Sequence, residues 1–124
     1  MAECMAAAER GTRFPYVLLE RGGASPIGML EARPAGHKVD LGYVLAPESW
    51  GRGYMPEAIF GLSRVALALP EVFRVQALCD VENHPSQRAL EKAGFLREGR
   101  RERFIVHPNL SSEPRPCYMY ALCR

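Results

Sequence analysis

The chain has 124 residues, 48% hydrophobic and 24% charged, with a formal net charge of +2. That suits one domain, residues 1–124, around a single core, and it argues against nucleic acid, whose partners carry a concentrated basic face. Its apolar runs fall far short of the ~20 residues of a membrane span, and residues 1–13, with Glu3, Glu9 and Arg10, lack the charged-then-apolar order of a secretory leader.

In chain order, residues 1–13 read as a short helical turn or a frayed segment. Three strand candidates follow: Phe14 to Glu20, Pro26 to Ala32, and Lys38 to Ala46, which places Val39, Leu41, Tyr43 and Leu45 on one face. Short Gly/Pro connections make these an antiparallel meander. The period then changes, and Pro56 to Leu69 sets Ala58, Ile59, Leu62, Val65, Ala66 and Leu69 in one helical stripe. Pro56 suits the first helical position and Pro70 ends the helix. Val72 to Asp80 reads as a buried strand, and Pro85 to Ala93 as a second helix closed by Gly94. Phe95 to Val106 and Cys117 to Cys123 read as antiparallel strands joined by the loop His107 to Pro116. The expected order is β-β-β-α-β-α-β-β, an α/β fold with a mixed sheet.

Arg97 to Arg103 is the densest basic run, but Glu98 and Glu102 interrupt it, and a solvated strand face explains it. The cysteines Cys4, Cys79, Cys117 and Cys123 form no C-x-x-C pair. With His37, His84 and His107 they complete no ligand spacing, so no metal is expected. Reduced thiols in a cytoplasmic protein are the natural reading.

The segment Trp50-Gly51-Arg52-Gly53-Tyr54-Met55 carries the clearest chemistry. It joins a strand to a helix start, where unpartnered N–H groups and the helix dipole stabilise an anion. Gly51 and Gly53 permit positive φ and a close approach by a ligand, and Arg52 adds charge. A plain turn is the bland alternative. The pattern is neither G-x-x-x-x-G-K-[ST] nor G-x-G-x-x-G, which counts against nucleotide hydrolysis and dinucleotide binding.

The run Trp50 to Ala58 resembles the acyl-CoA-binding turn of the GNAT acetyltransferases, Q/R-x-x-G-x-G/A, and is closest to the RimJ/RimL-like branch. Asn83-His84-Pro85-Ser86 followed by Lys92-Ala93-Gly94-Phe95 resembles the family's second block. Trp50 and Met55 depart from the pattern, and the bulk of Met55 is expected to narrow the loop. The resemblance implies an N-acetyltransferase using acetyl-CoA as co-substrate, its pyrophosphate on the backbone of Gly51, Arg52, Gly53, Tyr54 and Met55 beside Trp50. Pantetheine would pair with the backbone of Val44 and Leu45. Asn83 would contact the pantetheine arm, cap its helix, or do both. Ser86 would hydrogen-bond the leaving thiolate, and Arg88 or Lys92 would meet the 3′-phosphate or simply face solvent. Tyr54 flanks the phosphates or packs on the helix, while Glu57 reads as complementing the helix dipole.

Glu31, Asp40 and Glu102 are the strand carboxylates that could reach an acceptor amine, and their spacing selects none. The resemblance also implies that a first strand and two helices are missing. The strand at Phe14 would then present an unpaired edge, an invitation to a homodimer. Two functions remain open at this point. One is acetyl transfer to a primary amine, such as a protein N-terminus; the other is a non-catalytic or degenerate acyl-CoA-binding module.

Overall fold

Among the described residues, seven strands and two helices form in the order β1 (Ala2–Ala6), β2 (Phe14–Glu20), β3 (Pro26–Ala35), β4 (Lys38–Leu45), α1 (Tyr54–Leu67), β5 (Arg74–Asp80), α2 (His84–Lys92), β6 (Leu96–Ile105) and β7 (Arg115–Cys123). This is a computed structural model, and it describes residues 2–6, 14–20, 26–45, 51–106 and 112–124. The strands join one sheet in the order β1-β2-β3-β4-β5-β7-β6. β4 and β5 pair in parallel and the other described pairs are antiparallel, so the sheet is mixed, as expected.

The element order gains a strand over the expected β-β-β-α-β-α-β-β. Ala2–Ala6 pairs along β2, with Ala2 opposite Glu20 and Ala6 opposite Tyr16, in place of a helical turn or a frayed end. Five residues are too few to sustain a helix alone, whereas the edge of β2 offers a row of backbone partners. β1 thereby covers the edge that suggested a second chain.

α1 begins two residues before Pro56, behind Gly53 as N-cap. Pro56 is tolerated there because no first-turn N–H has an intrahelical acceptor. The helix buries Met55, Ile59, Ser63 and Ala66. Val65, expected inward, is 66% exposed, because it lies about 200° around the helix from Ser63. Leu69 falls beyond the helix end and is also exposed. No helix among the described residues is long and apolar enough to cross a membrane.

Leu18, Leu30, Ile59, Val75, Leu90 and Tyr120 are the large side chains sealed in the core. Burying each contributes about 1.5–3 kcal/mol. Tyr120 also holds α2 to the sheet, its Oη donating to Glu91 Oε2 at 2.8 Å. α2 ends on Gly94 at φ 95°. There the Phe95 N–H meets the Leu90 carbonyl and the Gly94 N–H the Glu91 carbonyl, each at 3.0 Å, the two bonds of a Schellman ending. β6 is exposed along nearly its whole length, so the Arg97 to Arg103 run is a solvated face.

The pairing of β4 with β5 positions everything that follows. Their ladder runs from Lys38–Arg74 to Leu41–Ala77 and stops, although the strands continue to Leu45 and Asp80. β4 stays paired with β3 as far as Leu45, and β5 with β7 as far as Asp80. The closed end is stitched by Gln76 Nε2 donating to Asp40 Oδ1 at 2.6 Å and Arg74 Nε to Gln76 Oε1 at 2.7 Å. Arg74 also forms a forked pair with Glu98, which lowers the Glu98 pKa and raises that of Arg74.

Ser63 Oγ is fully buried and has no hydrogen-bond partner among the described residues. Ser63→Ala removes that unsatisfied hydroxyl in a helix interior and should stabilise the fold by about 1 kcal/mol. Urea unfolding would check this; a lowered midpoint would contradict it.

Candidate active site

The parallel strands β4 and β5 end in divergence, and an open α/β sheet characteristically binds ligands at the carboxyl ends of such strands. A cleft of about 470 Å³ lies between the turn at Gly51–Met55, β4 and α2. A second, about 650 Å³, is lined by residues 41–43 of β4, residues 78–80 of β5, Glu82, Ile105 and Arg115. Tyr43, Asn83 and Ser86 stand in the walls of both.

The first cleft has features that suit an anion. Gly51 and Gly53 adopt φ 77° and 78°, which residues with a Cβ rarely sustain. A Cβ on either would meet no atom of the described residues within 4 Å, and the positive φ itself demands glycine. The N–H groups of Tyr54 and Met55 open the helix, Pro56 has none, and the Glu57 N–H is used on the Gly53 carbonyl at 3.2 Å. Met55 turns its side chain into the core, 3% exposed, so its bulk is largely taken up there rather than by the loop. Arg88 and Lys92, one turn apart on α2, line the cleft, and no carboxylate among the described residues does. Arg52 is exposed on the turn but is not part of the wall.

Val44 is 65% exposed on the lining of the same cleft, and Leu45 continues that strand. Trp50 lies outside the described residues. Tyr54 is half-buried against the core and also lines the cleft. Glu57 and His84 are exposed in the first turns of their helices.

Local hydrogen bonds aim α2 into the opening. The Asp80 carboxylate receives the Glu82 N–H at 2.9 Å, and Gln87 Nε2 donates to the Val81 carbonyl at 2.9 Å. Asn83 Oδ1 then accepts the Ser86 N–H at 3.2 Å, the N-cap role expected of it. The buried Ser86 hydroxyl is hydrogen-bonded to Tyr43 Oη. Burial raises the Tyr43 phenol pKa, with the Ser86 hydrogen bond opposing. Burial likewise pushes the Cys79 thiol up to about 11, again opposed by Ser86. Cys79 is therefore a thiol at neutral pH and a poor nucleophile.

The second cleft has a different character. Asp80, 7% exposed, is held by Arg115 through Nε at 2.6 Å and the Nη2 nitrogen at 3.1 Å. Exposed Glu82 lies 3.4 Å from the same guanidinium, and the Arg115 pKa is raised first by the Asp80 bond. The carboxylates at this cleft are thus Asp80 and Glu82. Glu31, Asp40 and Glu102 line neither cleft: Asp40 is engaged by Gln76, and Glu31 and Glu102 lie beside Arg33 and Arg100. Sequence reasoning gave no role to Tyr43, whose place depends on where the β4–β5 ladder stops. It also missed the Asp80–Arg115 pair, whose members lie 35 residues apart. Among the described residues no His, Cys, Asp and Glu group is placed to hold a metal ion.

Residues 1–96 match the sequence model of the acetyltransferase (GNAT) domain. The chain is 33% identical over 63 residues to YnaD, an uncharacterized N-acetyltransferase of Bacillus subtilis strain 168, a match spanning 51% of this chain and 37% of that protein. An acetyltransferase of the GNAT family from Bacillus anthracis superposes with a TM-score of 0.74 at 28% identity, over 90% of this chain and 66% of that one. RimL, a ribosomal L7/L12 alpha-N-protein acetyltransferase in complex with coenzyme A, has the same fold, with a TM-score of 0.79 at 20% identity over 92% of this chain and 63% of RimL. The chain thus spans less than two thirds of the length of these relatives.

Gly53→Val forces a β-branched residue into positive φ at the helix start. A ligand bound only by the folded state raises the melting temperature, so coenzyme A should raise that of the parent chain and not that of Gly53→Val. Differential scanning fluorimetry of both checks this.

Proposed function

The chain belongs to the GNAT acetyltransferase family, and we propose that it transfers an acetyl group from acetyl-CoA, the family's co-substrate, to a primary amine within a ternary complex. The observation that carries this reading is the junction at Tyr43 and Ser86. It joins a cleft suited to phosphates with one bearing the Asp80 and Glu82 carboxylates. A thioester reaching the junction from one side meets an amine arriving from the other.

In this reading the pyrophosphate lies on the amides of Gly51 to Met55, beside Trp50 and Arg52. Arg88 and Lys92 hold the 3′-phosphate. The pantetheine arm runs along the backbone of Val44 and Leu45, and Asn83, besides capping α2, contacts it. The neutral amine attacks the thioester carbon and a tetrahedral oxyanion forms. The carbon–sulfur bond then breaks, with its electron pair going to sulfur. Ser86 supplies the hydrogen bond and proton that the departing thiolate needs. Direct attack is favoured over an acyl-cysteine intermediate, since Cys79 is a buried thiol with its pKa raised to about 11.

Glu82 and the Asp80–Arg115 pair favour an acceptor that carries positive charge before it loses a proton. A protein N-terminal amine fits this description, and RimL, with the same fold, acts on one. The contrasting reading, an acyl-CoA-binding module without turnover, predicts a melting shift but no release of coenzyme A.

A thiol-release assay tests the proposal, using acetyl-CoA with short peptides beginning in Ala or Ser, spermidine and an aminoglycoside. Turnover is expected with at least one acceptor. Ser86→Ala should lower kcat by about 100-fold, the low end for general acid–base catalysis, with the KM for acetyl-CoA little changed. Binding without release across the whole panel would support the non-catalytic module.

A further inference from the structure

Acetyl transfer to an amine has a proton balance that is closed on itself. After attack the nitrogen carries a surplus proton, and after carbon–sulfur cleavage the thiolate lacks one. In the proposed arrangement the amine comes from the second cleft and the thioester from the first, so the tetrahedral carbon that bears both nitrogen and sulfur forms where the clefts meet. A proton passed between those two atoms needs hydroxyls at that meeting point, and the residues in both walls are Tyr43, Asn83 and Ser86. Asn83 uses its side-chain oxygen to cap α2. The other two are hydroxyls in direct hydrogen-bond contact, and either can be the donor.

We propose that Tyr43 and Ser86 form a two-hydroxyl relay that carries the proton from the attacking nitrogen to the leaving sulfur on the same tetrahedral carbon. The proton on the tetrahedral intermediate's nitrogen passes to Tyr43 Oη as the Tyr43 proton passes to Ser86 Oγ. The Ser86 proton then passes to sulfur as the carbon–sulfur bond breaks. Each hydroxyl gives one proton and accepts one, so neither ends charged and no separate base is consumed. Burial disfavours a free phenolate at Tyr43, which suits a concerted transfer over a stepwise one. The carboxylates at the second cleft act elsewhere: Asp80 is clamped by Arg115, and exposed Glu82 sits at the same guanidinium. Tyr43 on this account is a catalytic residue that touches the amine.

The relay rests on the reading of Ser86 as the group that meets the leaving sulfur, and the test separates the two. Tyr43→Phe, Ser86→Ala and the double variant are compared in the full chain, using acetyl-CoA with an acceptor from the panel that the parent chain acetylates. Tyr43→Phe should lower kcat by about 30- to 100-fold, leave the KM for acetyl-CoA unchanged and retain the melting shift with coenzyme A. The double variant should be no slower than the slower single one, because both changes break one path. A Tyr43→Phe rate within about twofold of the parent, beside an impaired Ser86→Ala, or effects that multiply in the double variant, would overturn the relay alone. An unimpaired Ser86→Ala, or a parent that releases no coenzyme A with any acceptor, would sink the underlying reading as well. Should Tyr43→Phe fail to fold, single turnovers of the parent in H2O/D2O mixtures decide. A bowed dependence means several protons in flight, as the relay requires, and a straight line contradicts it.

Discussion

The structure depends on one ladder ending early. β4 and β5 hold each other only as far as Leu41 and Ala77. Beyond that point each strand stays fixed on its far side, β4 by β3 and β5 by β7. An opening supported in this way is rigid without being closed. It exposes strand backbone that a fully paired sheet would have consumed, and it makes room for two clefts whose walls meet at Tyr43 and Ser86. The polar chain from Asp40 through Gln76 and Arg74 to Glu98 secures the closed end.

Both helices start at this opening, and their starts do different work. α1 has a left-handed glycine for its N-cap and no side-chain cap. α2 is capped by its own Asn83, with the turn before it fixed by Asp80 and Gln87. That cap satisfies the Ser86 amide and sets the Ser86 hydroxyl against Tyr43. The charge pattern follows the same division, with Arg88 and Lys92 in the walls of the first cleft and Asp80 and Glu82 in those of the second. A membership that rests on residues 1–96 is thus matched by a site whose parts come from the turn, β4, β5 and α2.

Most of the architecture was legible in the sequence because period-two and period-3.6 patterns are local. The meander, the parallel β4–β5 pair, both helices, Asn83 as cap and Gly94 as terminator could all be read from neighbouring residues. β1 could not be, since Ala2–Ala6 has little pattern of its own and forms only against the edge of β2. The outward turn of Val65 was missed because the true stripe starts at Met55, ahead of Pro56. The turn at Gly51–Met55 was visible as glycines before a helix. The second cleft was not, because Tyr43, Asp80 and Arg115 come together through strand register and a contact between residues 35 apart.

The central claim is that the opening separates a coenzyme A cleft from an acceptor cleft and that the thioester is delivered to their junction. A crystal structure of the chain with coenzyme A tests this most directly. The account predicts the pyrophosphate on the amides of Gly51 to Met55, the pantetheine arm along Val44 and Leu45, and the sulfur within reach of Ser86 Oγ. Coenzyme A bound in the cleft at Asp80 and Arg115, or with its sulfur pointing away from Ser86, would contradict it.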